Sequence, residues 1–392
     1  MLAKVRQTCH CAALIAVAGL VAGCNVFGSG DKKEPPAPLV QFDETVKVRR
    51  VLSANLGGGA KRLRLALAPA GDGSRVYAAS ADGVVIAYDG ESHKRVWRVD
   101  LKAELSAGPG VGDGRVVVTD RNGAVIALDA LTGTELWRRD IAAEVLAPPA
   151  IGAERIFLRT VDGRMLALSG SAGSIDWFIE QPVPVLSQRG LGAPVIVDET
   201  VIAGFDNGRI VAANVLTGEV AWEIPLGLPS GRTDIDRMVD TDGRLATSGS
   251  DLYASGFNSR TAAIAAESGQ ALWAREYSSS TGVGLDWTNL YLSNENSRLL
   301  ALTRRSGGIE WTNDDFVRRL LSTPTAWGDL VAVGDFEGYV HLVNARSGAH
   351  AARVRVGDEP IVMAPYVMGD TLYVLSESGA FAGFQVREPQ ER

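Results

Sequence analysis

The sequence predicts an all-β chain, an eight-bladed β-propeller with four antiparallel strands per blade, its ring closed by an N-terminal strand joining the C-terminal blade. Three observations carry this. A unit of about 40 residues recurs eight times along the 392-residue chain. Within each unit, short β-branched runs are separated by dipeptides that form tight hairpins. A tryptophan closes six of the units, always 14 residues after the first turn. A period of this length, with four short strands in each copy, is the signature of propeller blades.

Taken in chain order, residues 1–23 read as a targeting segment. Lys4 and Arg6 form a positive start, and Ala12 to Leu20 an apolar run too short to span a bilayer. Val21-Ala22-Gly23-Cys24 follows: an apolar residue, two small ones and a cysteine, the pattern of a bacterial lipobox. Cys24 is therefore the expected lipidation site. Removing residues 1–23 takes away two positive charges, so the formal charge of −7 becomes −9. An acidic chain of this kind lacks the basic face that a nucleic-acid binder needs. Cys9 and Cys11 belong to the targeting segment, so the expected folded body carries no disulfide, thiolate metal site or cysteine nucleophile. Asn25, after the acylated residue, is compatible with passage to the outer membrane. Residues 24–45 are rich in Pro, Gly and charge and are expected to be a disordered tether.

The propeller is expected over residues 46–387, with 388–392 as a tail. Its unit is typified by Val116 to Trp137, which contains Asn122-Gly123, then Ala127-Leu128-Asp129, Thr132-Gly133 and Trp137. The other tryptophans are Trp97, Trp177, Trp222, Trp273 and Trp311. Their large apolar area suits burial between blades, and all six are expected to be structural staples. The seventh unit keeps Gly338 and Ser347-Gly348 but has Ala352 in the tryptophan position. The eighth stops near Val386, after its third strand. Val46 to Leu52 has no unit of its own, so it is expected to supply the missing outer strand and remove the open edges.

Tryptophan spacings of 40, 40, 45, 51 and 38 locate two insertions, between the third and fourth units and between the fourth and fifth. The first reads Pro182 to Gly190, with Leu186, Gln188 and Arg189. The second reads Pro229 to Gly243, with Asp234, Asp236, Asp240 and Asp242. In repeat proteins such departures fall on one face and carry function. Mixed apolar, arginine and carboxylate groups are the material of a protein-binding patch. Two solvated loops with aspartates as turn formers are the plainer alternative. No catalytic arrangement accompanies them. The histidines are His10, His93, His341 and His350, scattered along the chain, and no nucleophile elbow, metal-binding His pair or phosphate loop is present. The upstream acids around Asp240-Thr241-Asp242-Gly243 have the wrong spacing for a calcium loop.

The Asp-Gly, Ala-Leu-Asp, Thr-Gly and Trp signature resembles the repeat of quinoprotein alcohol dehydrogenases. That family uses a quinone cofactor, a vicinal-cysteine disulfide and an axial calcium. The body of this chain has no cysteine for the disulfide, so the resemblance carries the fold and not the chemistry; no enzyme activity and no cofactor are expected. Lipobox, tether, eight blades, Leu186-Ser187-Gln188-Arg189-Gly190 before Ala193-Pro194, and Ile235-Asp236-Arg237 with Asp240 and Asp242 together resemble the BamB family of outer-membrane assembly lipoproteins. That resemblance implies a non-catalytic scaffold on the periplasmic face of the outer membrane, lipid-anchored, assisting outer-membrane protein folding and insertion. It implies that Leu186, Gln188, Arg189, Asp240 and Asp242 meet the POTRA region of the barrel subunit, and that nascent outer-membrane proteins are further partners. The chain departs from the family at Gln188, where an apolar residue is usual, and at Gly243-Arg244, where Thr-Pro is usual. A cysteine-free quinoprotein dehydrogenase and a scaffold of another envelope complex are the alternatives.

Overall fold

Short runs rich in β-branched and small apolar residues alternate with turns that need positive φ, and this dictates a chain made of hairpins. The computed structural model describes residues 34–58, 63–145, 147–186, 190–229, 232–233, 238–241 and 243–387. Ala37–Arg392 forms one compact unit, separate from residues 1–36. Within it, among the described residues, are eight sheets: seven are built on a four-stranded antiparallel meander in chain order, and the eighth takes its outer strand from the N-terminal side. Blade 1 runs from Ala70–Gly71 to Arg95–Asp100, blade 4 from Val195–Val197 to Val220–Pro225, and blade 7 from Thr325–Trp327 to His350–Arg355. The inner strands of successive blades pack side by side, and Tyr366 and Met368 of blade 8 lie against Gly71 and Gly90 of blade 1, so the blades form a ring.

Blade 8 is built as expected. Tyr366–Met368, Thr371–Leu375 and Ala380–Val386 are followed outward by Val48–Asn55, which pairs antiparallel from Val48↔Val386 to Asn55↔Ala380. One addition was not foreseen: Ala66–Leu67 lies parallel to the inner strand of blade 2, giving that sheet a fifth strand. The middle strands are buried on both faces, for example Arg155–Arg159 and Arg164–Ser169 in blade 3. Outer strands alternate instead, as in Val220–Pro225, because only their inward face is covered.

The tryptophans show how neighbouring blades are locked. Each sits just after a β-bulge. In blade 4, Ala212 pairs with Trp222 but Ala213 with Val220, leaving Ala221 as the extra residue. Bulges increase local twist and re-aim a side chain, and here the indole turns toward the next blade. Its N–H donates to a backbone carbonyl there: Trp97 to Ala130, Trp137 to Gly170, Trp177 to Val215, Trp222 to Ala266, Trp273 to Arg304 and Trp311 to Ala345, all within 2.7–3.2 Å. The ring lies against the glycine of the next blade's third-to-fourth-strand turn, such as Gly269 for Trp222 and Gly348 for Trp311, where a Cβ would overlap the indole. Opposite each tryptophan in its own sheet is an alanine, as Ala212 is to Trp222. In blade 7 the sizes reverse: Ala352 faces Leu342. Blade 8 has no such turn to receive an indole, and Trp327 of the inner strand bonds to Asp370 O instead (3.0 Å). Four staples are buried, while Trp137 and Trp177 are half-buried.

The expected tether is corrected over residues 37–45. Ala37 N–H donates to Val317 O (2.9 Å), Thr45 N–H to Ala351 O (3.0 Å), and Arg353 Nη2 to Val40 O (3.0 Å). Phe42 stacks on His350 with ring centroids 4.9 Å apart, and the Arg353 guanidinium lies over it. This strap follows the outer edge of blade 7 before the chain becomes the outer strand of blade 8. Its Pro-rich composition hid ring and backbone contacts to residues nearly 300 positions away.

Beneath the strap is a buried ion network. Arg319 donates Nε and Nη2 to Asp335 Oδ2 (2.9 and 2.6 Å), Nη1 to Ala37 O (2.9 Å), and also bonds Glu337. His341 Nε2 donates to the same carboxylate at 2.9 Å, and its Nδ1 is buried with no partner. Burial therefore holds the imidazole below its ordinary pKa; Asp335 opposes the shift, and the Arg319 and Arg353 charges add to it. The unfolded chain takes up a proton near the ordinary value of about 6.5, the folded chain only at lower pH. Stability contributed by neutral His341 is thus complete above that value and falls as pH drops below it. The midpoint of urea unfolding is expected to decline from pH 7 to pH 5, and His341→Gln to flatten that decline. An unchanged slope in the variant would place the acid sensitivity elsewhere.

Candidate functional site

Second-to-third-strand hairpins and the connections between blades share one end of the ring, so both insertions emerge there. Insertion one is pinned at its start: Gln181 Oε1 accepts from Asn207 Nδ2 (2.9 Å) and its Nε2 donates to Glu223 (3.3 Å), both of blade 4. Beyond this anchor the side chains project outward. Val183 and Leu186 are about half exposed, and Val185 is 100% exposed. Val183 packs over the turn at Gly163, beside Val161, which is itself exposed. At the start of insertion two, Leu228 is 70% exposed. It follows Leu226 and Gly227, whose N–H groups both donate to Gly208 O. The Asn207-Gly208 turn is thus tied to both junctions, to Gln181 of the first and to Leu226, Gly227 and Val239 of the second. Exposed apolar groups clustered on one face mark interaction surfaces better than scattered ones do.

The end of insertion two is internal. Asp240 N–H donates to Phe257 O (3.2 Å), and Thr241 Oγ1 donates to Phe205 O (3.1 Å) and Arg209 O (2.8 Å). The carbonyls of Asp240 and Thr241 lie where a Cβ on Gly256 or Gly204 would stand. Only glycine lets this segment wedge between blades 4 and 5. Asp240 is consequently 2% exposed, which corrects its expected place as a surface contact: it belongs to the base of the loop.

Of the other expected site residues, Leu186 is on the surface, while Cys24, Gln188, Arg189 and Asp242 lie outside the described residues. Sequence reasoning missed Val161, Val183, Val185 and Leu228; the signal available was the Pro-Val-Pro-Val run inside an insertion. It also missed the ion pair fastening blade 3 to blade 4, Arg159 Nη1 to Asp206 Oδ1 at 2.7 Å, with Arg159 6% exposed. Among the described residues there is no cluster of three or more His, Cys, Asp or Glu with metal-binding geometry.

A family profile described as outer membrane protein assembly factor BamB matches residues 81–313. The chain is 45% identical to the outer membrane protein assembly factor BamB of Pseudomonas aeruginosa over 377 residues, 96% of this chain and 98% of the relative. Among solved structures it is similar to BamB from Moraxella catarrhalis, with a TM-score of 0.78 and 29% identity, covering 86% of this chain and all of the other. It also shares the fold of a quinohemoprotein alcohol dehydrogenase from Comamonas testosteroni. There the TM-score is 0.65 at 15% identity, covering 88% of this chain and 77% of the other. At that identity the likeness concerns architecture alone.

Proposed function

The chain belongs to the BamB family of outer membrane protein assembly factors, and from that premise we propose that it is a non-catalytic scaffold holding the assembly machine's subunits in place. In this reading Cys24 carries the lipid that fixes the protein to the periplasmic face of the outer membrane. The face bearing the two insertions binds the POTRA domains of the barrel-forming subunit. Val183, Val185, Leu186 and Leu228 supply the apolar centre, with Gln188, Arg189 and Asp242 as polar contacts around it. Asp240 sets the loop's base. Outer-membrane proteins are folded and inserted faster because subunits, or unfolded strands, are kept in position.

The observation that carries this reading is the apolar side chains held out from anchored loop bases on two adjacent junctions. A rigid platform binds with less ordering cost than a mobile one. Contacts at the centre of an interface contribute most of its energy. Val185→Asp and Leu186→Asp, singly, should each lower recovery of the barrel subunit in mild-detergent copurification by about tenfold or more, with thermal unfolding unchanged. Arg189→Glu should act in the same direction. Asp240→Ala should instead lower stability, since its surroundings are closed. Normal copurification by both aspartate variants would remove this face from the complex.

A further inference from the structure

At the loop-bearing end of the ring axis, the segments entering the inner strands enclose a cavity of about 400 Å³. Its wall is drawn from around the ring, including Pro69, Pro148, Leu191, Thr323 and Pro365. Among the described residues the wall carries two arginines, Arg64 and Arg244, and no carboxylate. Elsewhere in the ring arginines near the core are paired, as Arg159 is with Asp206 and Arg319 with Asp335.

Arg244 is staged with some care. Its N–H donates to Thr281 O (3.2 Å), and its carbonyl accepts from Val283 N–H (3.0 Å), a parallel bridge joining blades 5 and 6 at their inner rim. Gly243 and Gly282 permit this approach, since a Cβ on either would overlap the opposing backbone. The Arg244 side chain is exposed on the cavity wall and, among the described residues, has no hydrogen-bond or ion-pair partner. Desolvation draws its pKa below the ordinary arginine value. An unpaired guanidinium on a cavity wall presents its fork to an entering anion, which would gain charge-assisted hydrogen bonds there. Leu191, Met363 and Pro365 add apolar surface to the wall. The volume lies within the range of small-molecule sites, roughly 300–1,000 Å³.

We propose that this axial cavity binds an organic carboxylate, its charged head on the Arg244 guanidinium and its apolar body against Leu191, Met363 and Pro365. The proposal rests on the cavity and is independent of the docking face. Two sources share the chemistry, a free small acid and the terminal carboxylate of a polypeptide. The test is calorimetric titration of the full mature chain with N-acetyl-leucine, its neutral amide, and a leucine-ending pentapeptide as acid and as amide. Both acids should bind, and each amide should bind about tenfold to a hundredfold more weakly, as expected for loss of a charge-assisted pair. Arg244→Gln should reproduce that loss for the acids with the unfolding temperature unchanged. Arg244→Lys, which keeps the charge but not the fork, should lose less. A pentapeptide acid binding tighter than N-acetyl-leucine identifies a chain end as the ligand; equal binding identifies a free acid. Acids and amides binding alike, no acid binding by about 20 mM, or undiminished binding by Arg244→Gln would each overturn the proposal.

Discussion

Trp222→Ala will lower the stability of the folded ring by about 3–5 kcal/mol, the usual cost of emptying a core position of this size. Trp222 is 8% exposed, and its neighbours cannot collapse into the space it leaves. On one side is its own sheet, with Ala212 opposite; on the other is the Gly269 turn of blade 5, already chosen for its lack of a side chain. The variant also leaves Ala266 O, which accepts the indole N–H at 2.7 Å, without that donor. Trp222→Phe separates the two contributions, because it keeps most of the ring and loses the donor. It should cost about 1–3 kcal/mol. Urea unfolding monitored by circular dichroism reads both. A loss below about 1 kcal/mol for the alanine variant would mean that the indole is not a junction staple.

The second large effect concerns closure. Deleting residues 34–55 removes the strap and the outer strand of blade 8 together. Seven register pairs link Val48–Asn55 to Ala380–Val386, and Leu52 is 5% exposed beneath it. At about 1 kcal/mol net per ladder hydrogen bond and about 2 kcal/mol for Leu52, the strand contributes on the order of 5 kcal/mol or more. That is comparable with the whole stability of an ordinary domain, about 5–15 kcal/mol. The deletion also bares a third-strand edge able to pair with other chains. The truncated chain should elute as aggregate in size exclusion and lose its cooperative unfolding transition. A peptide of residues 44–56 added in trans should restore the monomer in part. A monomeric, cooperatively unfolding deletion variant would show that the ring does not need this strand.

Much of this architecture was legible because it is local and repeated. The four-residue step from Gly133 to Trp137 recurs in five of the six tryptophan units, His93 standing at the glycine position of the first, and the structure explains it: the glycine serves the tryptophan of the preceding blade and the tryptophan serves the glycine of the next. The missing outer strand of the eighth unit pointed to the N-terminal side for the same reason. What could not be read depends on partners distant in sequence. The strap looks like linker because Ala37 and Phe42 reveal nothing of Arg319 or His350. Asp240 looks like a solvated turn former because Gly204 and Gly256, which admit it, resemble ordinary strand ends. Arg244 stood out only as a departure from a family pattern. Its place on the axis needed the ring to be closed.

The strap gives the molecule a mechanical property. Tension on the chain upstream of Ala37 meets the Ala37–Val317 and Arg319–Ala37 bonds before Val40 and the Phe42 stack, and only afterwards the strand that seals the wheel. A sudden load would peel residues 37–47 from blade 7 and release roughly 35 Å of slack while the seam stayed shut. Loaded from that side, the chain would thus give way in a sacrificial segment that can re-dock.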